Sequence, residues 1–187
     1  PNIWYRAQWM YGDARFYGVT LPGLPLPVAG SNERIAWGYT NVDADVADLI
    51  LLDRDPGDDE RYRAPDGWHT LHRWNETVKV RDAMPVDVGL ARTVWGALLP
   101  DPLRDRRVAL RWTALDSGGI DLNLLEMDRV STLAEAVRTI NRAGIPPQNV
   151  VLADDHGRIA WTYAGRLPSR SGYDGSVATS WADGRRG

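Results

Sequence analysis

A run of three carboxylates, Asp43, Asp45 and Asp48, comes directly after the segment Trp37-Gly38-Tyr39-Thr40-Asn41. In an extended segment Asp43 and Asp45 face the same way, because side chains alternate along a strand. A bend near Ala47 would swing Asp48 to join one of them. Clustered carboxylates repel one another unless a cation or an arginine sits between them. A calcium ion takes six to eight oxygens from carboxylates and main-chain carbonyls, which is the chemistry such a cluster can offer. The other reading is a polar loop in which Asp43 or Asp45 caps local amides.

Self-contained catalytic sets are missing. No G-x-S-x-G elbow and no H-E-x-x-H occurs. With no cysteine in the chain, disulfides, thiolate nucleophiles and cysteine metal sites are excluded. His69 and His72 are close enough on a helix to share a metal. Pro65-Asp66-Gly67 before them and a strand pattern from Trp74 argue for surface or packing roles instead. His156 sits in a tight turn, and Ser31, between Gly30 and Asn32, reads as turn chemistry. The chain alone offers no nucleophile–base pair.

The elements that must position these residues are mostly strands. Arg15–Thr20, Arg34–Thr40, Asp48–Asp53, Trp74–Val80, Arg92–Leu98 and Val108–Thr113 read as strands. Pro25 and Pro27 keep the approach to Gly30-Ser31-Asn32 irregular. Residues 53–60, Asp-Arg-Asp-Pro-Gly-Asp-Asp-Glu, read as a solvated acidic turn whose spacing misses the EF-hand pattern. Thr132 and Glu135 form a capping-box pair. Leu133, Ala136, Val137, Ile140 and Ala143 then recur at helical spacing up to Gly144 and Pro146. A shorter helix is expected over Asp121–Val130. Asn149–Ala153 and Arg158–Tyr163 read as a hairpin about Asp154-Asp155-His156-Gly157, and the tail from Ser169 as irregular. Strands with a helix on one side predict an α+β sandwich.

A chain of 187 residues, 43% hydrophobic and 25% charged, has the length and composition of one ordinary domain. The net charge of −3 and scattered arginines show no nucleic-acid footprint. No run of 18 apolar residues is present to make a spanning helix. Nine tryptophans stand against one phenylalanine. Trp37, Trp112 and Trp161 fall in strand-like segments, which predicts core positions for them.

The block from Pro22 to Leu49, PGLPLPVAGSNERIAWGYTNVDADVADL, resembles the β chain of the penicillin acylase family, a branch of the N-terminal nucleophile hydrolases. Pro147, Asn149, Ala153, Asp154, Gly157 and Ile159 are similar to the family's hairpin, P-x-N…A-D-x-x-G-x-I. Gly165, Pro168 and Arg170 are similar to the stretch immediately downstream of that hairpin, and Val108–Trp112 to an inner strand. The resemblance implies a four-layer αββα sandwich, present here only in part, with residues 1–187 as a single segment of the catalytic domain. It implies an amidohydrolase acting on a linear acyl amide through a chain-terminal serine and an acyl-enzyme. That serine would precede Pro1, and Asn2-Ile3-Trp4-Tyr5 resembles the stretch just after the segment that carries it.

Carried over by position, the main-chain N–H of Asn41 would be an oxyanion donor. Asp45 and Asp48 would bind calcium through carboxylates and Ala47 through its carbonyl. Leu24, Ala29 and Tyr39 would flank the active strand and shape the acyl pocket. The α chain and the remaining β-chain segments of one precursor, released by autoproteolysis, would be the partners. A periplasmic or secreted location is what the resemblance favours. Two rival readings are a non-catalytic β-rich binding module, which predicts co-planar exposed tryptophans and no buried aspartate cluster, and a degenerate assembly subunit of the same family.

Overall fold

The structure, a computed structural model, describes residues 3–187. Its strands in chain order are β1 Tyr5–Tyr11, β2 Ala14–Thr20, β3 Ala29–Ser31, β4 Ile35–Asn41, β5 Ala47–Leu51, β6 Arg54–Asp55, β7 Asp58–Ala64 and β8 Gly67–Thr70. Next come β9 His72–Val78, β10 Val86–Arg92, β11 Ala97–Leu98 and β12 Val108–Trp112. Short 3-10 segments at Thr113–Leu115 and Asn123–Asp128 precede helix α1, Leu133–Arg142, and the hairpin of β13 Gln148–Asp154 and β14 Ile159–Ala164. These elements gather into two compact units, each made of two stretches of chain: 3–44 with 116–167, and 45–115 with 168–187.

The first unit is an antiparallel sheet in the order β1-β2-β3-β4-β13-β14 with helix α1 on one face. Alternation explains which side chains meet the helix. Ile35 and Trp37 of β4, and Val150 and Leu152 of β13, are buried on one face, opposite Ala136 and Ile140 of α1 and Met127 of the 3-10 segment. Each of the larger of these side chains contributes roughly 1.5–3 kcal/mol by leaving water. The capping box forms as expected: Glu135 N–H donates to Thr132 Oγ1 (3.2 Å) and Thr132 N–H to Glu135 Oε2 (3.1 Å). The expected helix at 121–130 is instead the 3-10 segment Asn123–Asp128. Asp121 Oδ1 accepts the Asn123 N–H at 2.9 Å, a local bond that competes with helical pairing.

The segment 30–32 is also more structured than a plain turn. Ala29–Ser31 pairs with both β2 and β4, and the reversal falls at Asn32-Glu33-Arg34, where Glu33 has φ +75°. Gly18 and Gly30 oppose each other so closely that a Cβ on Gly18 would lie 2.1 Å from the Ala29 oxygen. Asn32 ties this corner down. Its amide nitrogen donates to the Met127 and Val130 carbonyls (2.9 and 2.7 Å), and its oxygen accepts from the N–H groups of Arg34 and Ile35 (3.0 and 2.8 Å).

The sheet face away from α1 is apolar and exposed. Trp161 stands opposite Val151, which stands opposite Gly38, so the three form a row across β14, β13 and β4. Trp161 is 64% exposed and Val151 54%. Trp161 and Trp112 are thus not core residues in this structure, whereas Trp37 and Trp181 are. The strand alternation that buries Val150 and Leu152 turns Trp161, paired with Val151, to the opposite face.

The second unit holds a sheet in the order β5-β12-β11-β10-β9 and a smaller one, β6-β7-β8. Its core contains Ile50, Leu52, Tyr62, Leu71, Ala109 and Trp181. The expected strand 92–98 is broken into β10 and β11 by a reversal in which Gly96 has φ +156° and Thr93 Oγ1 accepts the Trp95 and Gly96 N–H groups. The acidic stretch is not simply a solvated loop. It forms the tight β6–β7 hairpin, because Asp55 Oδ1 accepts the Gly57 N–H (3.0 Å) while Arg61 pairs with Asp55 (3.1 Å) and Arg54 with Asp59 (3.0 Å). The irregular tail from 169 is anchored: Trp181 is buried, and Leu51 N–H donates to Thr179 O (3.0 Å) at the free edge of β5. Among the described residues no helix is long and apolar enough to cross a membrane.

Candidate functional site

Asn41 is the last residue of β4, the strand on which the expected oxyanion donor lies. Peptide groups alternate in direction along a strand. Asp155 N–H donates to Arg34 O from the β13 side, and Asn32 N–H donates to Ile35 O from the β3 side. The N–H groups of Trp37, Tyr39 and Asn41 therefore point to the β3 side. The pairing of β3 with β4 ends at Trp37, so β3 does not reach the Asn41 N–H. Side chains of β13 reach Asn41 at this strand end. Gln148 Nε2 donates to its side-chain oxygen (3.2 Å) and Asn149 Nδ2 to its carbonyl (3.3 Å). Asn41 thus ends its strand beyond the β3–β4 pairing, with β13 side chains on its side-chain and main-chain oxygens.

The three residues expected to flank this strand lie in the same unit. Leu24 and Tyr39 both pack against the core beneath α1. Ala29 pairs with Val19 at the start of β3. The Tyr39 hydroxyl is buried without a hydrogen-bond partner among the described residues, and burial holds its phenol far above the usual tyrosine range. A buried hydroxyl left unpaired is costly, so a polar group meeting Tyr39 would be favoured.

Asp45, Ala47 and Asp48 lie in the second unit, and the sequence reading missed the residue that joins them. Arg170 Nε donates to both oxygens of Asp48 (2.9 and 3.1 Å), and its Nη2 lies 3.1 Å from Asp45 Oδ1 and 3.3 Å from the Asp45 carbonyl oxygen. Asp48 is buried at 5% exposure. The hydrogen bond to Asp48 is the largest reason the Arg170 guanidinium is held in its charged form even more strongly than usual. Tyr173 lies near the pair. Burial first, and the Asp48 carboxylate second, push its phenol up to about 12. Ala47 pairs with Trp112. Because Val46 O accepts the Thr113 N–H, the Ala47 carbonyl turns to the opposite, free edge of β5.

These residues do not fit calcium as they stand. The two carboxylates and the Asp45 carbonyl already accept from one guanidinium. A divalent ion about 4 Å from that charge would be repelled by roughly 8 kcal/mol at an effective dielectric of about 20. Asp43 is exposed and stands outside the pairing. The signal that could have found Arg170 is the arginine in the Gly165…Pro168…Arg170 stretch, since an arginine between acids is one way to relieve their repulsion.

The histidines lie as the sequence reading favoured. His69 is on β8, bonded to Asp66 (2.7 Å), and His72 begins β9. Asp154, Asp155 and His156 have ligand atoms within 4.8 Å of one another, but they are occupied with their turn. Asp154 Oδ1 accepts the His156 and Arg158 N–H groups at 3.1 and 2.9 Å.

The sheets and the helix are matched in a solved structure, the thermostable penicillin G acylase from Alcaligenes faecalis. The TM-score is 0.86 over 100% of this chain and 34% of that one, at 23% identity. The fold is therefore that of this penicillin G acylase. The penicillin amidase family profile matches residues 1–187, and the chain belongs to that family. Among its relatives is the acyl-homoserine lactone acylase QuiP of Pseudomonas aeruginosa, 29% identical over 99% of this chain and 23% of its own length. The QuiP of Pseudomonas putida is 30% identical over 90% of this chain and 21% of its own length. The acyl-homoserine lactone acylase PvdQ of Pseudomonas fluorescens is 27% identical over 86% and 22%. The chain thus spans about a quarter of the length of the curated relatives it matches.

Proposed function

We propose that this chain is part of an amidohydrolase that cleaves a linear acyl amide, with Asn41 as one oxyanion donor. In this reading a serine at a chain terminus attacks the amide carbonyl carbon and passes its hydroxyl proton to its own α-amine. The C–N bond then breaks, the departing amine takes that proton, and water hydrolyses the acyl ester. Segments beyond this chain supply the serine and complete a four-layer sandwich. The apolar, exposed sheet face of the first unit supports that layering, since a face bearing Trp161 and Val151 is stabilised when covered. The relatives' names make an N-acyl homoserine lactone the first substrate to test, with the acyl amide of a penicillin second.

The observation that carries the reading is the Asn41 N–H, fixed on β4 beyond the end of β3 pairing. One oxyanion donor is typically worth about 10²–10³ in kcat, or about 2.7–4 kcal/mol. In the complete protein, Asn41→Pro removes the N–H and is expected to lower kcat on an N-acyl homoserine lactone about 100-fold or more. Asn41→Ala keeps the N–H and is expected to stay within a few-fold. A folded proline variant turning over at the parental rate would sink the proposal. The binding-module reading is weaker, because Asp48 is buried and paired, and the stacked ring pair among the described residues sets Trp9 against buried Phe16. Activity of the complete protein separates the enzyme from an inactive assembly subunit.

A further inference from the structure

We propose that Arg170 is the built-in cation of the Asp45–Asp48 pair, so that this protein holds the start of β5 without a divalent metal at that position. Three features make this a site constructed for an arginine. The tail that carries Arg170 is brought to the edge of β5 by the Thr179 bridge and by the burial of Trp181. The guanidinium then engages four contacts: both Asp48 oxygens, one Asp45 carboxylate oxygen and the Asp45 carbonyl. Those four oxygens are among the ones a hard cation would need, and an N–H group already meets each of the four.

Gly175 supplies the space. At φ +85° it packs against the pair, and a Cβ there would fall 2.6 Å from Arg170 Nε and 3.0 Å from Asp45 Oδ2. The other nearby acid, Asp174, is turned to its own loop, where Ser176 donates to it through N–H and hydroxyl at 2.9 and 2.6 Å. Asp45 and Asp48 are thus the acids that Arg170 serves, and one guanidinium spans both.

The test uses the complete protein and calcium chloride as the probe, with binding and thermal stability as readouts, so its outcome is separate from that of amide hydrolysis. The wild-type melting midpoint should be unmoved by EDTA and by millimolar calcium. A midpoint that falls with chelator and returns with calcium, and that no longer responds in Asp48→Asn, would overturn the proposal. Arg170→Gln should lower the midpoint and make it rise with added calcium, whereas Arg170→Lys should remain indifferent. A folded glutamine variant that ignores calcium counts equally against it. Calorimetric titration of the wild type keeps the question answerable where the glutamine variant does not fold: calcium uptake that depends on Asp48 refutes the proposal, and its absence supports it.

Discussion

Asn32 shows how much one side chain can hold. Its neighbours in sequence predict a turn, and the structure does place a reversal there. Yet two of its four hydrogen bonds go to carbonyls 95 and 98 residues downstream. Asn32→Ala would leave two buried carbonyls and two N–H groups without that partner. Each unsatisfied buried group costs roughly 1–3 kcal/mol, with relaxation recovering part. A total loss of about 3 kcal/mol is expected, read as a shift of the denaturant midpoint. A change of a few tenths would mean that water replaces the amide and that the corner is not fastened this way. Asp48 teaches the same lesson. The sequence presents it as one carboxylate among three, while the fold buries it against a guanidinium.

Elements differ in how far their neighbours in sequence determine them. Helix α1 is legible because its cap, stripe and stop all lie within about 15 residues and need no distant partner. Removing the cap with Thr132→Ala should cost about 1 kcal/mol, read from the midpoint of thermal unfolding. Glu135 adds a pH dependence of definite sign. Hydrogen bonds, first from the Ser131 N–H, hold its carboxyl below the ordinary glutamate range. A group with a lowered folded pKa stabilises above its unfolded pKa and loses that contribution as pH falls through the folded value. Glu135→Gln and the parent should therefore converge in stability as the solution is acidified below the ordinary glutamate range, and differ at neutral pH. Parallel stability–pH curves would count against this. The β6–β7 hairpin is harder to read. Its carboxylates suggest a solvated loop, and the arginines that neutralise them belong to the strands of the hairpin itself.

At the scale of the whole molecule, the exposed apolar face of the six-stranded sheet bears on the layering proposed for the complete enzyme. Val151 lies on it between Trp161 and Gly38, 54% exposed. On an uncovered face Val151→Lys would cost little. Under a second layer it would bury an ammonium where a methyl pair had been, and the complete protein should lose at least about 2 kcal/mol. Thermal unfolding of the complete protein decides between the two, and a near-neutral lysine would refute the layering.

The sequence by itself determined the strand-and-turn rhythm, the capped helix and the Trp37–Asn41 strand with its acids. Alternation, capping and turn geometry act between near neighbours, and they leave a readable spacing. Only the tertiary structure decided that the pairing of β3 with β4 ends at Trp37, short of Asn41. It alone turned Trp161 outward and put Arg170, 122 residues from Asp48, between two carboxylates. Such pairings depend on where strands end and which edges meet, and no local pattern along the chain encodes that.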